Sequence, residues 1–277
     1  MPEVDLVLHD GRTLHAYDAG PDAGSLAVLW HHGTPGLGEL PDPLAEVTAE
    51  LGLRWFGYDR PGYGGSTRAE GRDVAAAADD VQQLTDALGI DRFATLGASG
   101  GGPHALACAA LLPDRVTAVV TAAGLAPFDA PGLSWFEGMY TGGAAELHAA
   151  EQGAEVLAAH LAASDFDPEM FVASDVAALE GAWGWLGSVA GRALATGLDG
   201  MVDDDLAFVR PWGFEVGDVR APVLLLHGAD DRVVPPAHSA WVAAHLPGGE
   251  HRVVPDAGHV AVLRAAADAC RWLATAA

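Results

Sequence analysis

Apolar and polar residues alternate from Val4 to Leu8 and again from Thr13 to Tyr17, either side of His9-Asp10-Gly11-Arg12. This pattern predicts a β-hairpin. From there the chain changes character. A short apolar run, Leu26 to Trp30 (LAVLW), ends in HHGTPG and is followed by a helix-like stretch over 42–51. Arg54 to Tyr58 (RWFGY) leads into DRPGYGGS and a helical pattern over 73–88. Phe93 to Leu96 leads into GASGGG, the helix-like PHALACAALL and the run Val116 to Ala123. Strand, loop and helix repeating in this way predict a parallel sheet with right-handed crossovers. After Gly124 the alternation stops, and helix formers interrupted by glycine continue to about Val219. It resumes with PVLLLHG (222–228), a helix near 238–246, a strand over 251–254 and a last helix over 260–274. The expected fold class is α/β: a mostly parallel central sheet with helices on both faces, built from 1–124 and 220–277. Residues 125–219 are expected to be an inserted helical lobe.

Composition narrows the class. Half of the 277 residues are hydrophobic, enough for a full core. A net charge of −24, from 38 acidic against 14 basic residues, repels nucleic acid and anionic lipid and leaves a small neutral or cationic molecule as the expected partner. All basic residues are arginine, lysine and asparagine are absent, and Ile90 is the only isoleucine, a bias typical of a GC-rich bacterial genome. Cys108 and Cys270 are too few for a disulfide framework or a zinc site and are expected to pack in helices. The first residues lack the apolar core of a signal peptide and no stretch approaches a membrane span, so a cytoplasmic protein is expected.

The chemistry centres on Ser99. It lies in G-x-S-x-G, where a strand pattern meets a helix pattern. A nucleophile that must stand clear of a sheet needs a sharp, strained turn, and Gly97 and Gly101 give that turn room. The helix that follows points its N–H-rich end at the serine oxygen, and Pro103 is tolerated in its first turn. The motif alone also fits a serine that merely caps a helix. A phosphate loop fits poorly, because no lysine follows the glycines. A serine nucleophile needs a base, and a histidine base needs an acceptor. Asp231 follows the run VLLLH, and His259 follows HRVV, so Ser, Asp and His occur in the order that successive strand ends would supply.

With HGTPG (32–36), DRPGYGGS (59–66), GASGG (97–101), GADDRVVP (228–235) and GHV (258–260) in this order, the chain resembles the α/β-hydrolases outside the lobe. The resemblance implies Ser99 as nucleophile, Asp231 as acid, His259 as base, and the backbone N–H groups of Thr34 and Gly100 as oxyanion hole. Family spacing from Gly228 selects Asp231 over Asp230. His31 and His32 are expected to brace the oxyanion loop, His227 to end a buried strand, His104 to lie behind the serine, and Asp59 and Arg60 to hold their own loop. Neither a metal site nor a cofactor is implied. Serine at the elbow, where related dehalogenases and epoxide hydrolases carry aspartate, points to hydrolysis of an ester or related acyl bond. Proline iminopeptidase, carbon-carbon hydrolase and perhydrolase activities, and a non-catalytic small-molecule receptor, remain as alternatives. In the lobe, Trp135, Phe136, Tyr140, Trp183, Trp185 and Trp212 either line an apolar substrate pocket or pack the lobe onto the sheet. Gly100, where relatives often carry a bulkier side chain, is expected to leave space beside the hole.

Overall fold

The computed structural model describes residues 2–20 and 26–277. The alternating segments pair as an antiparallel hairpin of β1 (Glu3–Val7) and β2 (Thr13–Asp18), with Glu3 opposite Tyr17 and Val7 opposite Thr13. The apolar runs become β3 (Ala27–His31), β4 (Arg54–Tyr58), β5 (Phe93–Ala98), β6 (Val116–Ala122), β7 (Val223–Gly228) and β8 (Gly249–Val254). Together they make an eight-stranded sheet in the order β1-β2-β4-β3-β5-β6-β7-β8. β2 runs antiparallel to β4, and from β4 to β8 every pairing is parallel. This is the mostly parallel α/β sheet that the strand-loop-helix repetition predicts.

The continuous apolar runs follow from burial on two faces. Every residue of β3, β5 and β7 is buried. On one face Leu29, Phe56, Phe93, Val119 and Leu225 pack under α2 (Ala76–Ala87), α3 (Gly101–Leu111) and α9 (Ala237–His245). On the other, Val28, Trp30, Trp55, Leu96, Val120 and Leu224 pack under α1 (Ala45–Leu51) and α10 (Ala266–Ala276). β8 closes one edge, and its partial exposure explains the weaker apolar signal there.

Between β6 and β7 the chain forms α4 (Thr141–Glu151), α5 (Ala154–Ala163), α6 (Ala173–Glu180), α7 (Trp185–Leu194) and α8 (Asp199–Phe208), with no strand among these described residues. They are not set apart from the sheet. Leu147, Leu157, Val202, Leu206 and Phe208 join the first apolar face, and Trp183 joins the second. No helix among the described residues is long and apolar enough to cross a membrane.

Two boundaries differ from the sequence pattern for physical reasons. α3 begins at Gly101, ahead of Pro103, because the N–H groups of a first helical turn need no intrahelical partner and so tolerate proline. The last helical pattern divides into a 3₁₀ turn, Ala261–Ala265, and α10.

Candidate active site

Ser99 stands between β5 and α3 with φ of +51°, a left-handed conformation that costs a non-glycine residue about 1–2 kcal/mol. Its surroundings hold it there. Ser99 N–H donates to the Ala122 carbonyl at the end of β6 (2.8 Å), and Gly102 N–H donates to the Ser99 carbonyl (2.9 Å). A β-carbon at residue 97 would fall 2.2 Å from the Gly101 carbonyl oxygen, and one at residue 101 would fall 2.1 Å from that of His31. Glycine is therefore a steric requirement at both positions.

Ser99 Oγ donates to Nε2 of His259 (2.9 Å), and Nδ1 of His259 donates to Oδ2 of Asp231 (2.8 Å). The neighbouring Asp230 is exposed, whereas Asp231 is buried. The other oxygen of Asp231 accepts from the N–H groups of Val233 and Val234, both at 2.9 Å. His227 Nε2 approaches Oδ2 at 3.2 Å and also donates to the Val234 carbonyl (2.8 Å). Burial works against the Asp231 charge, but His259 and His227 outweigh it and hold the carboxyl well below the usual range. Burial likewise works against protonated His259, yet the charge and hydrogen bond of Asp231 lift this imidazole above its ordinary value. The group beside the serine is thus a base of raised proton affinity, fixed in one tautomer by a buried anion.

On the other side of Ser99 lies the loop after β3. A β-carbon on Gly33 would be 3.6 Å from Ser99 Cβ. Thr34 meets Gly100 so closely that a β-carbon there would fall 2.4 Å from Thr34 Oγ1 and 2.8 Å from Phe208 Cζ. This corrects the expectation of free space beside Gly100: Thr34 and Phe208, the last residue of α8, already fill it. Thr34 itself is pinned. Its hydroxyl donates to Asp204 Oδ2 (2.6 Å) and accepts from Arg60 Nη2 (3.1 Å).

The Asp204 carboxylate organises this corner. Fully buried on α8, it accepts from Arg60 Nε (3.1 Å), Arg60 Nη2 (2.6 Å), Arg72 Nη2 (2.5 Å) and Tyr63 Oη (3.0 Å) as well as from Thr34. Burial opposes its charge, but the two guanidinium groups more than offset this and hold it ionised far below the normal range. Arg60 also donates to the carbonyls of His32 and Gly33. It therefore does more than hold its own loop, because it ties the Thr34 loop to α8. Asp59 has the narrower role, accepting from Gly38 N–H (2.9 Å) and Gly65 N–H (3.1 Å).

His32 braces the loop after β3 through the Gly33 carbonyl (2.7 Å) and the N–H of Arg60 (3.0 Å). His104 donates to the Gly100 carbonyl (2.7 Å), and burial pushes its pKa down to about 3, so it is neutral behind the elbow. Buried His31 packs beside Cys108, with its Nε2 3.7 Å from the sulfur. Among the aromatic residues of the insert, Trp135, Trp183 and Trp212 are only 5%, 5% and 2% exposed and are consumed in packing. Trp135 Nε1 donates to the Ala126 carbonyl (3.0 Å), and its own carbonyl accepts from His238 Nε2 (2.8 Å). Tyr140 lies half-buried at the start of α4, with its N–H on the Arg232 carbonyl (2.6 Å) and its hydroxyl on Asp167.

Sequence reasoning missed the acidic triplet Asp203-Asp204-Asp205. Its residues point about 100° apart around α8, and all are buried. Asp203 meets Arg68 (2.8 Å), Asp204 meets Arg60 and Arg72, and Asp205 meets Glu146 of α4. A usable signal existed: Arg54, Arg60, Arg68 and Arg72 cluster within a chain otherwise poor in positive charge.

The sequence profile of the alpha/beta hydrolase fold matches residues 27–266. The chain belongs to this family. It is 30% identical over 253 residues to a non-heme chloroperoxidase of Streptomyces lividans, covering 86% of this chain and 85% of that one. To a 2-hydroxy-6-oxo-6-phenylhexa-2,4-dienoate hydrolase of Burkholderia cepacia it is 28% identical over 257 residues, covering 89% and 84%. In fold it is similar to the enol-lactonase of Burkholderia xenovorans LB400, with a TM-score of 0.73 over 98% of each chain at 20% identity. The α/β-hydrolase membership expected from the five motifs is thus established, and with it an enzyme of the hydrolase class.

Proposed function

We propose that this α/β-hydrolase cleaves an ester or related acyl bond of a small, hydrophobic substrate through an acyl-enzyme. One observation carries the reading: a serine in strained positive-φ backbone joined at 2.9 Å to a histidine that is joined at 2.8 Å to a buried carboxylate. Ser99 Oγ attacks the acyl carbon while its proton passes to His259 Nε2. Negative charge collects on the former carbonyl oxygen, and the N–H groups of Thr34 and Gly100 stabilise it with the N-terminal end of α3 behind them. Collapse breaks the bond to the leaving alkoxide, which takes the proton from His259. Water then attacks the Ser99 ester, gives its proton to His259, and releases the acid as Ser99 recovers its hydrogen. Asp231 keeps His259 in the productive tautomer and stabilises the transient imidazolium.

Residues 125–219 act in this reading as a cap that bounds the substrate side. The contacts of Asp204 with Thr34 and of Phe208 with the Gly100 position support it. Trp135, Trp183 and Trp212 are held in packing, and Phe208, itself buried, packs against Gly100 next to Ser99, so in this reading it bounds the acyl side. A second reading, hydrolysis of a carbon-carbon bond next to a carbonyl, is favoured by the Burkholderia cepacia relative.

Treatment with a fluorophosphonate followed by intact-mass analysis tests the class. One adduct on the wild type and none on Ser99→Ala is expected, and an unlabelled wild type refutes an activated serine. A p-nitrophenyl ester chain-length series beside a vinylogous 1,5-diketone then separates the readings: turnover of the diketone alone favours the carbon-carbon reaction.

A further inference from the structure

Asp175, from the inserted helix α6, reaches across to the segment that carries His259. One oxygen accepts from the N–H groups of Val260 and Ala261, both at 2.8 Å. The other accepts from His259 N–H (3.1 Å) and from Val172 N–H (3.3 Å) at the start of α6 itself. The residue is 1% exposed, no arginine among the described residues lies within salt-bridge distance of its carboxylate, and the donors it meets are backbone N–H groups. Next to it, Ser174 Oγ accepts from Gly258 N–H (3.2 Å). The fit leaves no slack, since a β-carbon on Gly258 would lie 2.1 Å from Asp175 Oδ2.

The arrangement is a helix cap supplied from a distance. The 3₁₀ turn Ala261–Ala265 begins directly after the histidine, and no side chain of its own caps it. Its first N–H groups are orphans by geometry, and an anion is the strongest acceptor they can find. Here that anion belongs to α6, some 84 residues earlier in sequence than the N–H of His259.

We propose that Asp175 is a positioning residue for His259: it fixes the backbone of residues 259–261 and places a second negative charge near the histidine, so the inserted helices complete the catalytic base. This rests on the triad reading given above. The groups that face His259 are Asp231 after β7, backed by His227, Ser99 after β5, and Asp175 from α6. The Asp175 charge acts in the same direction as that of Asp231, raising the proton affinity of His259.

The test is the rate of fluorophosphonate labelling against pH for wild type and Asp175→Asn, with folding followed by near-ultraviolet circular dichroism. Labelling requires neutral His259, so its rate rises with pH through the imidazole pKa. Loss of the nearby negative charge lowers that pKa and moves the rise to lower pH, by about half a unit, while misplacement of the imidazole slows the plateau rate at least ~10-fold. An unchanged plateau and midpoint in folded Asp175→Asn overturns the proposal. So does a loss of labelled fraction with an unchanged midpoint, which is what a merely structural role produces. Should Asp175→Asn not fold, the wild type still decides: amide N–H groups of Val260 and Ala261 bonded to a carboxylate resonate downfield and exchange slowly, and fast exchange at both refutes the arrangement. Failure of the triad reading is separate, because the wild type itself would then not label.

Discussion

Replacing Asp204 by alanine tests the junction between α8 and the Thr34 loop most directly. The substitution removes the acceptor of five hydrogen bonds, from Thr34, Tyr63, Arg72 and, twice, Arg60. Side chains of Arg60 and Arg72 are only 1% and 4% exposed, so neither guanidinium can turn to water for compensation. Removing one partner from a buried ion pair costs about 3–5 kcal/mol, chiefly because the remaining charge stays buried. Domains of this kind are stable by roughly 5–15 kcal/mol, so Asp204→Ala should consume a large share of the total. The surface pair Arg192–Glu39 is a control, with its side chains 51% and 23% exposed. Glu39→Gln should cost less than about 1 kcal/mol. Urea unfolding followed by tryptophan fluorescence measures both, and the expected change is in the midpoint with the slope preserved. The effect has a defined pH dependence. Asp204 has a folded-state pKa far below its unfolded value, so its contribution is complete above about pH 4 and is lost as the pH falls through the folded value. The gap between wild type and Asp204→Ala should therefore narrow in acid. A cost for Asp204→Ala no larger than that for Glu39→Gln would refute the argument, since it would mean that both arginines find other partners.

Three further outcomes follow from the same geometry. Gly100→Ala has no backbone obstacle, with φ of −55°, but its β-carbon meets Thr34 Oγ1 at 2.4 Å, so it should destabilise the fold by about 1–3 kcal/mol and slow fluorophosphonate labelling; labelling and midpoint equal to wild type would show that Thr34 yields. The acid limb of kcat/KM on a p-nitrophenyl ester should be centred above the ordinary imidazole value of about 6.5, because Asp231 raises the pKa of His259; a limb below that value contradicts it. Burial raises the pKa values of Glu146 and Asp205, and the Glu146 charge raises that of Asp205 further, so stability present below the ordinary carboxylate value is lost as pH rises through the folded values. Glu146→Gln should lose less melting temperature than wild type between pH 5 and pH 8, and an identical loss would place no shared proton between them.

The sheet was legible because its strands are buried on both faces and so leave uninterrupted apolar runs bounded by loops with glycine and proline. RWFGY is β4 to the residue, and VTAVVTAA overruns β6 by one. The meeting of Ser99, His259 and Asp231 was legible for a related reason: parallel strands deliver their loops to one edge, so residues far apart in sequence arrive together. Inside the insert, pattern failed. An aromatic residue in a helical stretch carries no mark of whether its ring faces a cavity or a core, and Trp135, Trp183 and Trp212 proved to face core. Gly100 failed for a different reason, since absence of a side chain reveals nothing about which neighbour occupies the room.

The acidic surplus misled in a more instructive way. A charge of −24 reads as a solvated surface, yet Asp59, Asp80, Asp175, Asp203, Asp204, Asp205 and Asp231 are all buried. Burying a carboxylate is tolerable only where charge-assisted hydrogen bonds replace water, or where the group takes up a proton. The two solutions are divided by location. Asp205 meets another carboxyl, and burial favours protonation there. Asp204 and Asp203 meet arginines, whereas Asp59, Asp175 and Asp231 accept backbone N–H groups from loops. Those loops are the ones that matter for the proposed chemistry: Asp59 holds the segment after β4, Asp204 holds Thr34, Asp231 fixes its own turn beside His259, and Asp175 holds the backbone of His259. Aspartate suits this task because its short stem leaves little rotamer entropy to lose, while its two oxygens can gather several donors at once. Hence the buried aspartates do the positioning, and the exposed carboxylates make up the rest of the acidic surplus.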